Sequence, residues 1–289
     1  IIDHDTSDDL IAHDLIRGVT MTGSDGAGSH IGALAGKHLK KSVLELGSND
    51  AYLVLEKADV ELAVKTSVMG RLYNNGETCV SAKRFVVTDA VYDAFIAAFV
   101  DQMRAIQMGD PMDEDTQLGP LSSQDQFDTV AEQVTQSVAK GAKLLCGGDP
   151  KDGTGYYYPA TVLGDVTPGM PAYDDEIFGP VAAIQSFSDS DDIIARANDT
   201  EYGLVAYLHS HDPRRIYRVS RAMQFGMVAV NRTKVTGAPI FGVDVEFDFF
   251  GAYDVDRDFG VDRGRVGQAG EDDAAALGHF AAGMGEDEH

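Results

Sequence analysis

The sequence predicts an α/β fold, a mostly parallel sheet with helices on both faces. Strand-length and helix-length segments alternate from Arg17 to Val230, the order expected of successive βα units. The segments have the lengths such units need, and apolar residues make up 44% of 289, enough to bury a large core in one or two domains.

Residues 1 to 18 are acidic, and Leu10, Ile11 and Leu15 give them a weak helical hint. Arg17 to Thr22 reads as a strand entering a Gly-Ser turn, and Gly26 to Lys40 as a helix with Ile31, Leu34, Ala35, His38 and Leu39 on one face. A short, buried-looking strand from Val43 ends in Glu45. Ala51 to Leu55 is the next strand, then Ala58 to Asn74 a helix with Leu62, Ala63, Met69 and Tyr73 inward. Phe85 to Thr88 is a strand, and Asp89 to Met103 an amphipathic helix with Val91, Phe95, Phe99 and Met103 on its apolar face. After a loop at Gly109-Asp110-Pro111, a helix runs from Gln124 to Lys140. Strands follow at Ala142 to Cys146, Tyr156 to Leu163 and Val181 to Phe187. A helix at Asp191 to Asn198, a strand at Leu204 to Ser210, a helix at Pro213 to Phe225 and a strand at Met227 to Val230 complete the series. Residues 261 to 289 are rich in Gly, Ala, Asp and Glu without apolar periodicity, the composition of a disordered acidic tail.

Two residues carry candidate chemistry. Glu45 closes an apolar run, where a carboxylate is costly unless paired or raised in pKa, and a raised pKa suits a general base near neutral pH. Cys79 lies 34 residues later in a Gly-Glu-Thr-Cys turn after Asn74, Asn75 and Gly76, an exposed setting in which a thiolate can attack a carbonyl carbon. Cys146, before Gly147-Gly148, reads as a small buried residue at a strand end. The eight histidines show no triad or metal spacing and are expected to be solvated; no Cys/His pattern suits zinc, and no G-x-S-x-G elbow is present.

These stretches resemble the aldehyde dehydrogenase family, most closely its succinate-semialdehyde dehydrogenase group, from about Val19 to Asn231. VLELGSNDAYLV resembles the family's "E-L-G-G-x-x-P" motif and YNNGETCVSAKRFVV its "F-x-N-x-G-Q-x-C-x-A-x-x-R" motif, in the same order and spacing. Thr22-Gly23-Ser24 with Gly28 resembles "F-T-G-S-x-x-x-G", where amides at a helix start face the cofactor pyrophosphate. Asp25 is an added anion there. Asp174 to Pro180 resembles "E-E-x-F-G-P", 97 residues separating Cys79 from Glu176. The resemblance implies a Cys79 nucleophile and a Glu45 water-activating base. It further implies NAD or NADP as hydride acceptor, cofactor contacts at Gly23, Ser24, Glu176 and Phe178, and an active-site-shaping Asn231. It implies no metal.

The implied organisation is residues 1–45 as the last part of a nucleotide-binding domain, 46–232 as a thiol-bearing catalytic domain and 233–289 as a divergent acidic tail. The first residue is Ile, as in a piece of a longer chain or a processed one; the family's adenosine-binding strands and its oxyanion asparagine would lie upstream. PIFGVDVEFDFFG keeps only a fragment of the family's "P-F-G-G-x-K-x-S-G-x-G-R" loop. A semialdehyde substrate is expected, although Tyr73 stands where that group carries an arginine six residues before the cysteine, with Arg71 two positions further away. The alternative is a catalytically impaired remnant that only packs or oligomerises. Homo-oligomerisation is left open.

Composition excludes other classes. Asp plus Glu number 47 against 23 Lys plus Arg, and a net charge of −24 repels nucleic acid and anionic membrane surfaces. Salt adaptation and ordinary acidity both fit that charge. No run reaches membrane-spanning length, the start is not a signal peptide, and two unlike cysteines argue against a disulfide framework; a cytoplasmic enzyme fits best.

Overall fold

In a computed structural model, residues 2–150, 155–188 and 193–232 are described. The expectations for 233–289 and for the start of the helix at Asp191 lie outside them. Helix α1 (His4–Ala12) starts where the Asp3 side chain accepts the Thr6 N–H. Strand β1 (Gly18–Thr22), helix α2 (Asp25–Lys37) and strand β2 (Lys41–Glu45) then form a βαβ unit, with Gly18 opposite Lys41 and Thr22 opposite Glu45 in a two-stranded parallel sheet. Lys40 bridges α1 to this unit through the Ile11 and His13 carbonyls.

The second sheet has seven strands. In chain order they are β3 (Ala51–Val54), β4 (Arg84–Thr88), β5 (Lys143–Cys146), β6 (Thr161–Gly164), β7 (Val181–Phe187), β8 (Val205–His209) and β9 (Met227–Val230). In space the order is β5-β6-β7-β4-β3-β8-β9, every neighbour pair parallel except β5 with β6. The remaining helices are α3 (Val60–Leu72), α4 (Asp89–Arg104), α5 (Gln124–Ala139), α6 (Pro171–Asp174), α7 (Ile193–Asn198) and α8 (Pro213–Ala222).

Strand alternation shows both faces covered. Tyr52, Phe85 and Ile184 are in register on one face. There Phe85 meets Phe99 of α4 at 5.3 Å between ring centroids, and the Tyr52 hydroxyl meets Thr66 of α3. Arg84 and Ala183 face the other way, where Arg84 reaches α7 and Ala183 joins a buried cluster with Val130 and Val134 of α5 and Ile177.

Several expectations need correction. The β2 strand is not buried: Lys41, Ser42 and Val43 are exposed, Val43 by 60%, because only one other strand shares its sheet. The strand expected from Tyr156 begins at Thr161, since Pro159 has no N–H for the ladder. The helix expected to Asn74 stops at Leu72, as Asn74, Asn75 and Gly76 take left-handed φ values of 51°, 58° and 78°. His209 is buried and stacked on Tyr52, not solvated. Cys146 is only half-buried, because β5 is an edge strand. The short helix α6, begun by Pro171, falls in a stretch where no regular element was expected. Among the described residues no helix is long and apolar enough to cross a membrane.

Arg84 ties the layers together. Its buried guanidinium donates to the carbonyls of Asn49 (3.1 Å), Arg196 (3.2 Å) and Ala197 (2.9 Å) and lies over the Tyr173 ring. Arg84→Met keeps most of the volume and leaves three carbonyls short of a donor, for a cost on the order of 3 kcal/mol. Urea unfolding should show this; a change under about 1 kcal/mol would contradict the assignment.

Candidate active site

The cysteine turn is tied down from every side. Arg71, wholly buried at the end of α3, donates to the Ala82 (3.0 Å) and Gly76 (2.6 Å) carbonyls. Asn75 accepts the Gly119 N–H at 2.9 Å and donates to the Pro120 carbonyl at 3.0 Å. Ser81 donates to Gly70, and the Tyr207 hydroxyl to the Val80 carbonyl. A side chain at Gly76 would collide with the Gly179 carbonyl, so the turn and the loop before β7 fit only with glycine there. Cys79 is half-buried instead of exposed. Burial is the main cause raising its thiol pKa; Lys83 and the Val80 N–H pull it down, while Asp50 and Glu45 push it up.

Glu45, at the end of β2, is the last of these causes, so its charge is felt at the sulfur although the cysteine turn lies outside the β1-β2 sheet. Its carbonyl accepts the Gly23 N–H at 2.9 Å, which places the Gly23-Ser24 turn beside it. Ser24 caps α2 by accepting the Ala27 N–H at 3.3 Å. The chain then passes through Gly47, whose added Cβ would sit 2.7 Å from Glu176 Oε2 and 3.0 Å from the Tyr202 ring. Asp25 is turned toward the same point and accepts the Gly47 N–H at 3.2 Å. Burial first, then the Asp25 and Glu176 charges, lift the Tyr202 phenol well above its usual range. Glu176 and Phe178 are held through their backbone carbonyls, which accept from Gln133 (3.0 Å) and Gln126 (2.7 Å) of α5. So Gly23, Ser24, Glu45, Cys79 and Glu176 converge.

Asn231 does not join them. With φ 53° it closes β9, its side chain accepting the Ser210 N–H and donating to the Ser210 carbonyl. Parallel register puts that clamp at the carboxyl edge of the seven-stranded sheet, whereas Cys79 precedes β4 at the amino edge.

Sequence reasoning missed the charges beneath the site. Lys83, with a 2% exposed side chain, donates to the Cys79 carbonyl at 2.8 Å and stands 3.2 Å from Glu176 Oε1. Asp50, wholly buried, accepts from Ser48 and from the Val205 N–H, while its Oδ2 lacks a hydrogen-bond partner. The available signal was a charged residue directly before each of two apolar runs, Asp50 before Ala51 and Lys83-Arg84 before Phe85.

The donor set fits the pyrophosphate and nicotinamide end of a dinucleotide. The first-turn amides of α2 have no intrahelical acceptors, Ser24 is exposed beside them, and no neighbour crowds Gly26. Glu176 Oε1 is buried against Lys83 at 3.2 Å, and Oε2 lies on the side of Gly47. No group of three or more His, Cys, Asp or Glu side chains could hold a metal ion among the described residues.

Burial pushes the Asp50 carboxyl up to about 7 from 3.8, so the folded state keeps a proton that the unfolded chain has released. The associated stability is full below about pH 4 and lost as pH rises through about 7. Asp50→Asn should remove on the order of 2 kcal/mol of the stability lost between about pH 5 and about pH 8. Unfolding curves at both pH values check this; an unchanged difference would assign the proton elsewhere.

The aldehyde dehydrogenase family profile matches residues 2–244. A succinate-semialdehyde dehydrogenase [NADP(+)] of Mycolicibacterium paratuberculosis is 43% identical over 221 residues, 76% of this chain and 47% of the relative. The Escherichia coli K12 succinate semialdehyde dehydrogenase [NAD(P)+] Sad is 42% identical over 259 residues, 87% of this chain and 56% of that protein. The crystal structure of the Streptococcus pyogenes succinic semialdehyde dehydrogenase in complex with NADP+ superposes with a TM-score of 0.77 at 37% identity, covering 80% of this chain and 51% of that one. The chain thus spans about half the length of the relatives it matches. A matching profile over residues 2–244, with relatives 42% and 43% identical over 87% and 76% of this chain, makes this chain a member of the aldehyde dehydrogenase family.

Proposed function

We propose that this chain carries the thiol-bearing portion of a cytoplasmic NAD(P)-dependent aldehyde dehydrogenase that converts an aldehyde to a carboxylic acid through a cysteine thioester. The observation that supports it most is the half-buried Cys79 thiol in a turn held by Arg71, Asn75 and Lys83, with the Glu45 charge felt at the sulfur. The Cys79 thiolate attacks the aldehyde carbon, and the Cys79 backbone N–H faces the oxyanion. NAD(P), when bound, would supply the hydride acceptor, with Gly23, Ser24, Glu176 and Phe178 as its contacts. Glu45 takes a proton from the water that opens the thioester and frees the acid. Asn231 contributes indirectly, by holding the end of β8 through Ser210.

A short semialdehyde such as succinate semialdehyde is the proposed substrate, on the strength of the relatives' names. Arg71 is not its anchor, since that guanidinium is buried on the Ala82 and Gly76 carbonyls. The exposed β2 strand favours a second reading, a chain that packs or oligomerises without turnover.

Hydrolysis of p-nitrophenyl acetate separates the readings without a hydride acceptor. Cys79→Ala should abolish it. Glu45→Gln should acylate normally and then stall, with deacylation slowed by roughly two to four orders of magnitude. Hydrolysis surviving in Cys79→Ala, or steady-state turnover unchanged in Glu45→Gln, would overturn the assignment.

A further inference from the structure

Lys83 holds a buried charge that the chemistry above does not use. Its Nζ donates to the carbonyls of Cys79 at 2.8 Å and Ser81 at 3.0 Å, and a third carbonyl, from Thr78, stands 3.4 Å away. An ammonium group offers three donors, which suits a loop that turns three carbonyls inward. A buried ammonium is costly without compensating charge, and Glu176 Oε1 at 3.2 Å supplies some of it. The other charged or titratable groups facing this point are Arg71 at the end of α3, Asp50 before β3, Glu45 at the end of β2 and Tyr207 on β8.

We propose that Lys83 is the positioning residue of Cys79: by gathering the carbonyls of Thr78, Cys79 and Ser81 around one ammonium it sets the direction of the sulfur and of the Cys79 N–H, and it places a positive charge beside the thiol. The inference rests on reading Cys79 as the nucleophile. Two consequences follow from the geometry. Removing the charge while keeping a donor loosens the electrostatic hold on the thiolate, and restoring a cation restores it. Burial, Asp50 and Glu45 all oppose ionisation of this thiol, so Lys83 acts against the rest of its surroundings.

The test is the pH dependence of iodoacetamide alkylation at Cys79, followed by peptide mapping in the full chain, for wild type, Lys83→Met, Lys83→Gln and Lys83→Arg. Cys146 is the internal reference. The Met and Gln variants should shift the Cys79 profile upward by about one pH unit, an approximately tenfold loss of labelling at neutral pH, while Arg stays close to wild type. Lys83→Gln keeps a side-chain donor and decides the matter if Lys83→Met does not fold. A Cys79 profile unchanged in Lys83→Gln, a Lys83→Arg profile displaced as far as that of Gln, or a matching shift at Cys146 would each overturn the proposal. Ester hydrolysis surviving in Cys79→Ala would remove the catalytic reading and leave this titration to decide what Lys83 does to the thiol.

Discussion

Burying charge at the amino edge of a parallel sheet is the constraint on which the rest of this structure depends. Arg71, Lys83 and Arg84 are each at most 2% exposed, and a charge so placed is tolerated only when hydrogen-bonded or paired. Backbone carbonyls meet most of that demand. Arg71 takes those of Gly76 and Ala82, Lys83 those of Cys79 and Ser81, and Arg84 those of Asn49, Arg196 and Ala197. The loops that supply these carbonyls are therefore not free to wander, and among them is the loop that carries Cys79. Glu176, against Lys83, ties the loop before β7 to the same cluster. Desolvation raises Asp50 and lowers Lys83 and Arg71, each toward its uncharged form.

The alternation of elements was legible because it depends on local periodicity. Strands β7 and β9 have their expected bounds, and α4 and α5 are within a residue of theirs. What sequence could not reveal was tertiary. Nothing local distinguishes a strand covered on both faces from β2, whose apolar Val43 ends in solvent because only β1 pairs with it. Nor does a lone cysteine announce its depth: Cys79 and Cys146 are both half-buried, one in a turn stitched by Arg71 and Lys83, the other on an edge strand. His209 looked like a solvated residue near a strand end and instead shares a buried hydrogen bond with Tyr52. The proximity of Glu45, Gly23 and Glu176 to the cysteine was suggested by motif order alone. Lys83 and Asp50 left only a faint trace, a charge directly before an apolar run, and a charge before a strand is ordinarily exposed.

Gly47 is where the two sheets make a common site. A Cβ added there would press on the Glu176 carboxylate and the Tyr202 ring, and Gly47 lies two residues after Glu45. Asp25 turns its carboxylate toward the Gly47 N–H, at 3.2 Å, in the first turn of α2. The groups gathered here are those proposed to meet the pyrophosphate, the nicotinamide ribose and the thiol, while β1 and β2, the strands that lead to them, form a two-stranded sheet with largely exposed residues. On this account, the described residues build the reactive end of a dinucleotide site.

Calorimetric titration of the chain with NADP+, NAD+ and nicotinamide mononucleotide tests that claim most directly. Contacts confined to the nicotinamide end predict three dissociation constants within about tenfold of one another, all near the millimolar range. A micromolar constant for either dinucleotide, with the mononucleotide about a thousandfold weaker, would show that the chain also holds the adenosine half and would contradict the account.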